Sequence, residues 1–278
     1  MTVSSIPSLL SALADNSVDE IVVANGTYHV SPASHMQSDS LWIGSRYAGR
    51  TRPVLVRAQT RGGVTFDGGG TTSFGGISFQ AGVHDQTWDG FKFGGGEATS
   101  TGVVQFGGTS SSGVYETPGA YRITMRYITF LSTCTGRAAT SSGSTWDHAF
   151  YFEQALGTGP HDILLEDITV DGRGFLASAI HFDHADATHP NASNVTVRRL
   201  HVIGTQQAII LYKVPLSNIT FDVVDITNAL SHAVRYEASP GSGIVFANVV
   251  STGSGGSGWY SSQGPTPANV TFINDSFH

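Results

Sequence analysis

Charge and cysteine are both scarce in this chain. Of its 278 residues only 13% are charged, and Cys134 is the single cysteine. One cysteine excludes an intrachain disulfide, so cysteine usage carries no message about compartment. In its polar setting (Ser132-Thr-Cys-Thr-Gly136) it reads as a plain thiol, not a nucleophile. Long apolar runs are missing, which excludes a membrane-spanning helix and makes a membrane partner unexpected. Basic charge is short as well. Fourteen Lys and Arg against 21 Asp and Glu give a net charge of -7. That balance argues against nucleic acid as a partner, because displacing counterions from phosphates takes a cationic surface. Met1-Thr-Val3 lacks the charged and apolar segments of a secretion signal, as the start of a mature secreted domain also would.

What the chain does have is glycine, 34 residues of it, and a recurring phrase. Such a composition suits short strands joined by tight turns. One strand of the phrase returns roughly every 25 to 30 residues: Ile77-Ser-Phe-Gln80, Val104-Gln-Phe-Gly107, Phe150-Tyr-Phe-Glu153, Ile180-His-Phe-Asp183, Ile209-Ile-Leu-Tyr212, Val234-Arg-Tyr-Glu237 and Trp259-Tyr-Ser-Ser262. A second follows each polar break: Ile123-Thr-Met125, Ile163-Leu-Leu165, Val195-Thr-Val197, Ile219-Thr-Phe221, Ile244-Val-Phe246 and Val270-Thr-Phe272. Both alternate with period two, so one set of side chains points inward and the other outward. A single unit cannot bury its own inward face, whereas stacked units share one continuous core. The expected fold is all-β, a right-handed parallel β-helix forming a single domain over residues 1–278.

Within it, apolar positions at helical spacing from Ser5 to Ala14 predict a short helix, and residues 1–18 form an N-terminal cap over the first strand edges. Coils then occupy about residues 19–278. Insertions are expected near residues 28–52, 107–120 and 131–147, with a shorter one from Ala185 to Ser193; solenoid insertions collect as loops, often beside the binding face.

Function is sought on the outward ladders. The second strand carries a bland one: Thr124, Leu164, Thr196, Thr220, Val245 and Thr271. The first strand gathers Gln80, Gln105, Tyr151, Glu153, His181, Asp183, Tyr212, Arg235, Glu237 and Tyr260 on one face, expected to be exposed. His184 and Lys213 follow at strand ends, and His148 and His232 precede their strands at matching offsets. Aromatic rings can stack on sugars and charged groups can transfer protons, so this strip is the expected groove for a polysaccharide.

Ile21-Val-Val-Ala-Asn-Gly-Thr-Tyr28, Pro53-Val-Leu-Val-Arg-Ala58 and Gly62-Gly-Val-Thr-Phe-Asp-Gly68 resemble the opening coils of the chondroitinase B and alginate lyase family of polysaccharide lyases, which have a pectate-lyase-like solenoid. Ile209-Ile-Leu-Tyr-Lys213 through Ala233-Val-Arg235 is similar to that family's catalytic pair. The resemblance implies that Lys213 takes the C5 proton of a uronate and that Arg235 assists or protonates the leaving oxygen. The family's acidic, calcium-binding pair is replaced here by Gln206-Gln-Ala208, so no cofactor is expected; Glu153, Asp183 and Glu237 are the oxygen ligands available for Ca²⁺ at a different site.

Three function classes follow. The first is a lyase cleaving a uronate-containing polysaccharide by β-elimination, with Lys213, Arg235, His181, Asp183, Glu237 and Tyr151 as catalytic candidates. Glu153, His184, Tyr212, His148, His232, Tyr260 and Gln105 would bind substrate. The second is an inverting glycoside hydrolase, since Asp183 and Glu237 lie two coils apart, roughly 9 to 10 Å in backbone spacing, near the separation that admits a water. The third is a non-catalytic glycan-binding module. Either enzyme would be secreted or extracellular, where polymeric glycans are met.

Overall fold

The computed structural model describes residues 1–30, 41–44, 47–71, 76–96, 102–107, 118–131, 148–153, 155, 157–174, 176–183, 191–212, 214–237, 241–262 and 269–278. Among them, strands pair in parallel into one sheet of fourteen and one of eight. The smaller sheet contains the first strand of each repeat, in the order Trp42–Ile43, Ile77–Phe79, Gly102–Phe106, His148–Phe152, Ser178–Asp183, Ile209–Tyr212, Val234–Glu237 and Trp259–Ser261. This is a parallel β-helix. One boundary needs correcting: Trp42–Ile43 lies within the insertion expected at 28–52, yet it pairs with Ile77–Phe79 as the opening strand of this sheet. Two residues are too short a run for alternation to reveal.

The larger sheet hides a third face that a two-strand phrase misses. Its long strands, such as Tyr121–Leu131, His161–Asp171 and Ser193–Ile203, bend at residues with positive φ: Tyr127 (53°), Asp167 (54°) and Arg199 (53°). The register aligns these bends on successive coils, and Val223 and Asn248 (both 56°) extend the column. Inward residues flank each bend, Ile123 and Met125 before it and Ile128 and Phe130 after it, so each coil presents three walls to one core. The bland ladder is in register as expected, Thr124 beside Leu164, Thr196, Thr220, Val245 and Thr271.

Beneath the eight-stranded sheet runs a column of rings. Phe79, Phe106, Phe152 and Phe182 are fully buried and stack at 5.3, 4.8 and 4.4 Å between centroids. Offset-stacked rings at such spacing add to the area they bury. They also orient the opposite side of each strand. With Phe152 and Phe182 pointing in, Tyr151, Glu153, His181 and Asp183 must point out.

The N-terminal helix Ile6–Ala14 forms where the sequence places it. Ser5 caps it, its hydroxyl accepting from the Ser8 backbone N–H at 3.2 Å, and Pro7 sits in the first turn, where its missing N–H costs nothing. Ile6, Leu9, Ala12 and Leu13 are buried over the first coil. Arg50, itself buried, donates to the carbonyls of Leu13 (3.2 Å) and Asp15 (2.8 Å) and to that of Val18, satisfying the helix end and the turn after it. No helix among the described residues is long and apolar enough to cross a membrane.

The bend column yields a stability test. Val223 is β-branched, half exposed and held at φ 56°, a conformation that costs an L-residue about 1–2 kcal/mol, while Asn tolerates it. Val223→Asn is expected to raise the unfolding free energy by about 1 kcal/mol in a urea titration; an unchanged or lowered midpoint would contradict the strain assigned to this position.

Candidate functional site

Three outward rows cross the eight-stranded sheet. The middle row is Gln105, Tyr151, His181, Ile210, Arg235 and Tyr260, each paired with the next. A flanking row holds Asp183, Tyr212 and Glu237 in register, with Glu153 following the Phe152–Phe182 pair on the Asp183 side. The other flanking row begins with His148 opposite Ser178. The expected ladder is therefore real as a set of directions, with Ile210 breaking the polar run between His181 and Arg235.

Exposure is where the structure departs from expectation. His148 is 2% exposed, His181 4%, Tyr151 6%, Asp183 8% and Glu237 9%. The strip is a buried polar seam in its middle, not a solvated face. Alternation fixes which way a side chain points, but what lies over it is decided by other parts of the chain. Gln105, Glu153, Tyr212 and Arg235 are partly exposed and Tyr260 more so, so the seam opens toward both ends.

Buried polar groups need partners, and these have them. Tyr151 donates its hydroxyl hydrogen to Asp183 Oδ2 at 2.5 Å, across adjacent coils. His181 Nε2 stands 3.9 Å from Asp183 Oδ1, too far for a hydrogen bond. His181 Nδ1 is 2.9 Å from His148 Nε2, and His148 Nδ1 is 2.8 Å from Ser178 Oγ. His148 also stacks on Tyr151 at 5.2 Å between ring centroids. Asn191 donates to the carbonyls of Phe152 (3.1 Å) and Asp183 (2.5 Å), tying the returning chain to the strand ends. Burial pushes the His148 imidazole down to about 3, so it is neutral at physiological pH.

Two coils beyond His181, Arg235 donates through Nε to Glu237 Oε1 at 2.6 Å and again through its terminal nitrogen. Its guanidinium carbon lies 5.8 Å from the Tyr212 ring centroid. His232 stacks on Tyr260 at 4.7 Å and receives hydrogen bonds from Ser257; burial, then the Arg235 charge, lowers its pKa. At the opposite end Gln105 donates to Glu153 Oε2 at 2.7 Å. His148 and His232 do share an offset from their strands and so lie along the same flank of the seam, but three coils separate them.

Lys213 and His184 lie outside the described residues, as does Cys134. The three acids named for calcium are spread out: Glu153 and Asp183 on adjacent coils, Glu237 two coils further. Among the described residues no group of three His, Cys, Asp or Glu is placed to hold a metal ion. The sequence reading missed Ser178 and Asn191. Ser178 was detectable, since it falls in register with His148 once the strands are aligned. Asn191 was not, because it sits on no strand.

No protein-family profile and no curated protein sequence matches this chain. Among solved structures it is similar to a family GH82 iota-carrageenase from A. fortis, at 10% identity over 94% of this chain and 70% of that one, with a TM-score of 0.50. It is also similar to a mannuronic acid specific polysaccharide family 6 lyase from human gut microbiota, at 12% identity over 90% and 67% of the two chains, TM-score 0.39. A third is the A-module of a mannuronan C-5 epimerase from Azotobacter vinelandii, at 9% identity over 98% and 90%, TM-score 0.39. At such identities the likeness is one of fold, and function has to be argued from the site.

Keeping His148 neutral has a consequence for stability. Its folded pKa, about 3, lies below the ordinary value of about 6.5 in an unfolded chain. The stability it contributes is complete above pH ~6.5 and is lost as pH falls from there toward 3, at up to about 1.4 kcal/mol per pH unit. Urea unfolding of the wild type and His148→Gln across that window isolates this residue. The variant is expected to gain on the wild type steadily as pH falls; a pH-independent difference would remove the assignment.

Proposed function

We propose that this chain cleaves an acidic polysaccharide, by β-elimination at a uronate, across the seam of the eight-stranded sheet. The observation that carries the reading is the packing of Tyr151, His181 and Asp183 onto two adjacent coils, with the Arg235 cation two coils along the same sheet. Elimination requires that the sugar carboxylate be neutralised, the C5 proton removed and the leaving oxygen protonated. Arg235 supplies fixed positive charge, partly exposed and braced by Glu237. His181 supplies a hydrogen-bond donor in a water-poor setting, where such donors act most strongly, and Tyr151 holds the Asp183 carboxylate beside it through its own hydroxyl hydrogen. Lys213, by the family resemblance, is the candidate base. Tyr212, Tyr260, His232 and Gln105 frame the binding strip, and the polymeric substrate implies an extracellular setting.

A second reading has one geometric observation behind it. Asp183 and Glu237 stand in one row with Tyr212 between them, a spacing of roughly 10 Å along the stack, near that of an inverting hydrolase. The elimination reading is preferred because both acids are already engaged, Asp183 by the Tyr151 hydroxyl and Glu237 by Arg235.

Incubation with alginate, pectate, chondroitin, glucuronan and neutral glucans separates these. Ultraviolet absorbance of an unsaturated uronyl end together with new reducing ends is expected on an acidic glycan. Reducing ends alone would transfer the assignment to hydrolysis, and inertness on every polymer would remove catalysis. Tyr151→Phe, which keeps the ring and deletes the hydroxyl, is expected to lower kcat by about 10²-fold or more with little change in fold.

A further inference from the structure

The contacts behind His181 determine where its proton sits. Ser178 has no exposed surface, and among the described residues its hydroxyl has one hydrogen-bond partner, His148 Nδ1 at 2.8 Å. A hydroxyl that accepted from an Nδ1–H there would leave its own hydrogen buried without an acceptor, at a cost of about 1–3 kcal/mol. Donating to Nδ1 avoids that cost. His148 is neutral and so carries a single proton, which must then be on Nε2. Nε2 faces His181 Nδ1 at 2.9 Å and donates to it. The Nδ1 of His181 is thereby occupied as an acceptor, so that ring carries its proton on Nε2, on the side of Asp183.

We propose that Ser178 and His148 are positioning residues that hold His181 as its Nε2–H tautomer, making it, in catalysis, a hydrogen-bond donor and not a proton acceptor. The role toward substrate rests on the polysaccharide reading above; the tautomer does not. Among the described residues, Asp183 and Tyr151 face His181 in a way that agrees with a donor. Asp183 Oδ1 lies 3.9 Å from Nε2, and the Tyr151 ring meets His181 edge-on at 5.3 Å with its hydroxyl hydrogen already given to Asp183. A neutral donor held beside a fixed carboxylate polarises toward developing negative charge without having to lose a proton.

Two-bond proton–nitrogen correlation spectra of protein carrying isotope-labelled histidine read the tautomer directly at neutral pH. Both His148 and His181 are expected to be protonated on Nε2, with assignments from single His→Gln variants. His148→Gln offers an amide N–H to His181 and an amide oxygen to Ser178, so it should preserve the His181 tautomer and keep activity within about 10-fold. His148→Glu can only accept from His181; it should move that proton to Nδ1 and lower kcat by about 10²–10⁴-fold. A purely structural role for His148 would instead lower activity in both variants in step with their unfolding midpoints. An Nδ1–H tautomer at His181 in the wild type, or one that His148→Glu leaves unchanged, overturns the proposal. If the Glu variant does not fold, the wild-type and Gln spectra decide it alone. The Nε2–H tautomer in a protein inert on every glycan would uphold the relay and fell only the polysaccharide reading.

Discussion

Everything in this protein depends on parallel strands stacking in register at the ~4.8 Å spacing of neighbouring backbones. That constraint makes a column out of any position that recurs from coil to coil. Inside, it piles Phe79, Phe106, Phe152 and Phe182 into one stack; outside, it puts Tyr151 against His181 and Glu153 beside Asp183. Core and site are thus two sides of the same strands. A slip of one residue would turn the phenylalanines outward and the histidine and acids into the core, which is why the register is strongly specified.

The same constraint concentrates charge, and the fold handles it differently on different walls. At the bends of the larger sheet, opposite charges alternate up the stack: Arg122 clamps Asp85, Arg61 and Arg126 flank Asp89, and Arg198 and Arg199 hold Glu166 and Asp167. The Arg122 pairing draws the Asp85 carboxyl down to about 2. In each pair the arginine is exposed while its acid is largely covered. In the seam the polar groups are buried, where unmade hydrogen bonds are costly, and they are joined across coils from Ser178 through His148 to His181 and from Tyr151 to Asp183.

Period-two alternation made the fold legible because a β-helix repeats one local rule many times, and Ile123-Thr-Met125 or Ile180-His-Phe182 each state it plainly. The third wall escaped notice because Ile128-Thr-Phe130 continues directly from the second with only Tyr127 at the bend, and a positive φ at a tyrosine has no signature in sequence. Trp42–Ile43 escaped because two residues show no period. In the site, the outward direction of His181, Asp183 and Arg235 was readable from alternation. The burial of His181 and Asp183 was not, since alternation along one strand says nothing of residues off the strands, such as Asn191, which bonds the Phe152 and Asp183 carbonyls.

Sequence alone determined the strand phrase, its inward aromatic column, the helical cap begun at Ser5 and the gathering of histidines, acids and tyrosines on one wall. These follow from spacing, and spacing is local. Only the tertiary structure decided that Ser178 reaches His148, that His148 reaches His181, and that Tyr151 gives its proton to Asp183. Those contacts join residues some thirty positions apart, and they exist because winding brings successive coils to within one strand spacing of each other.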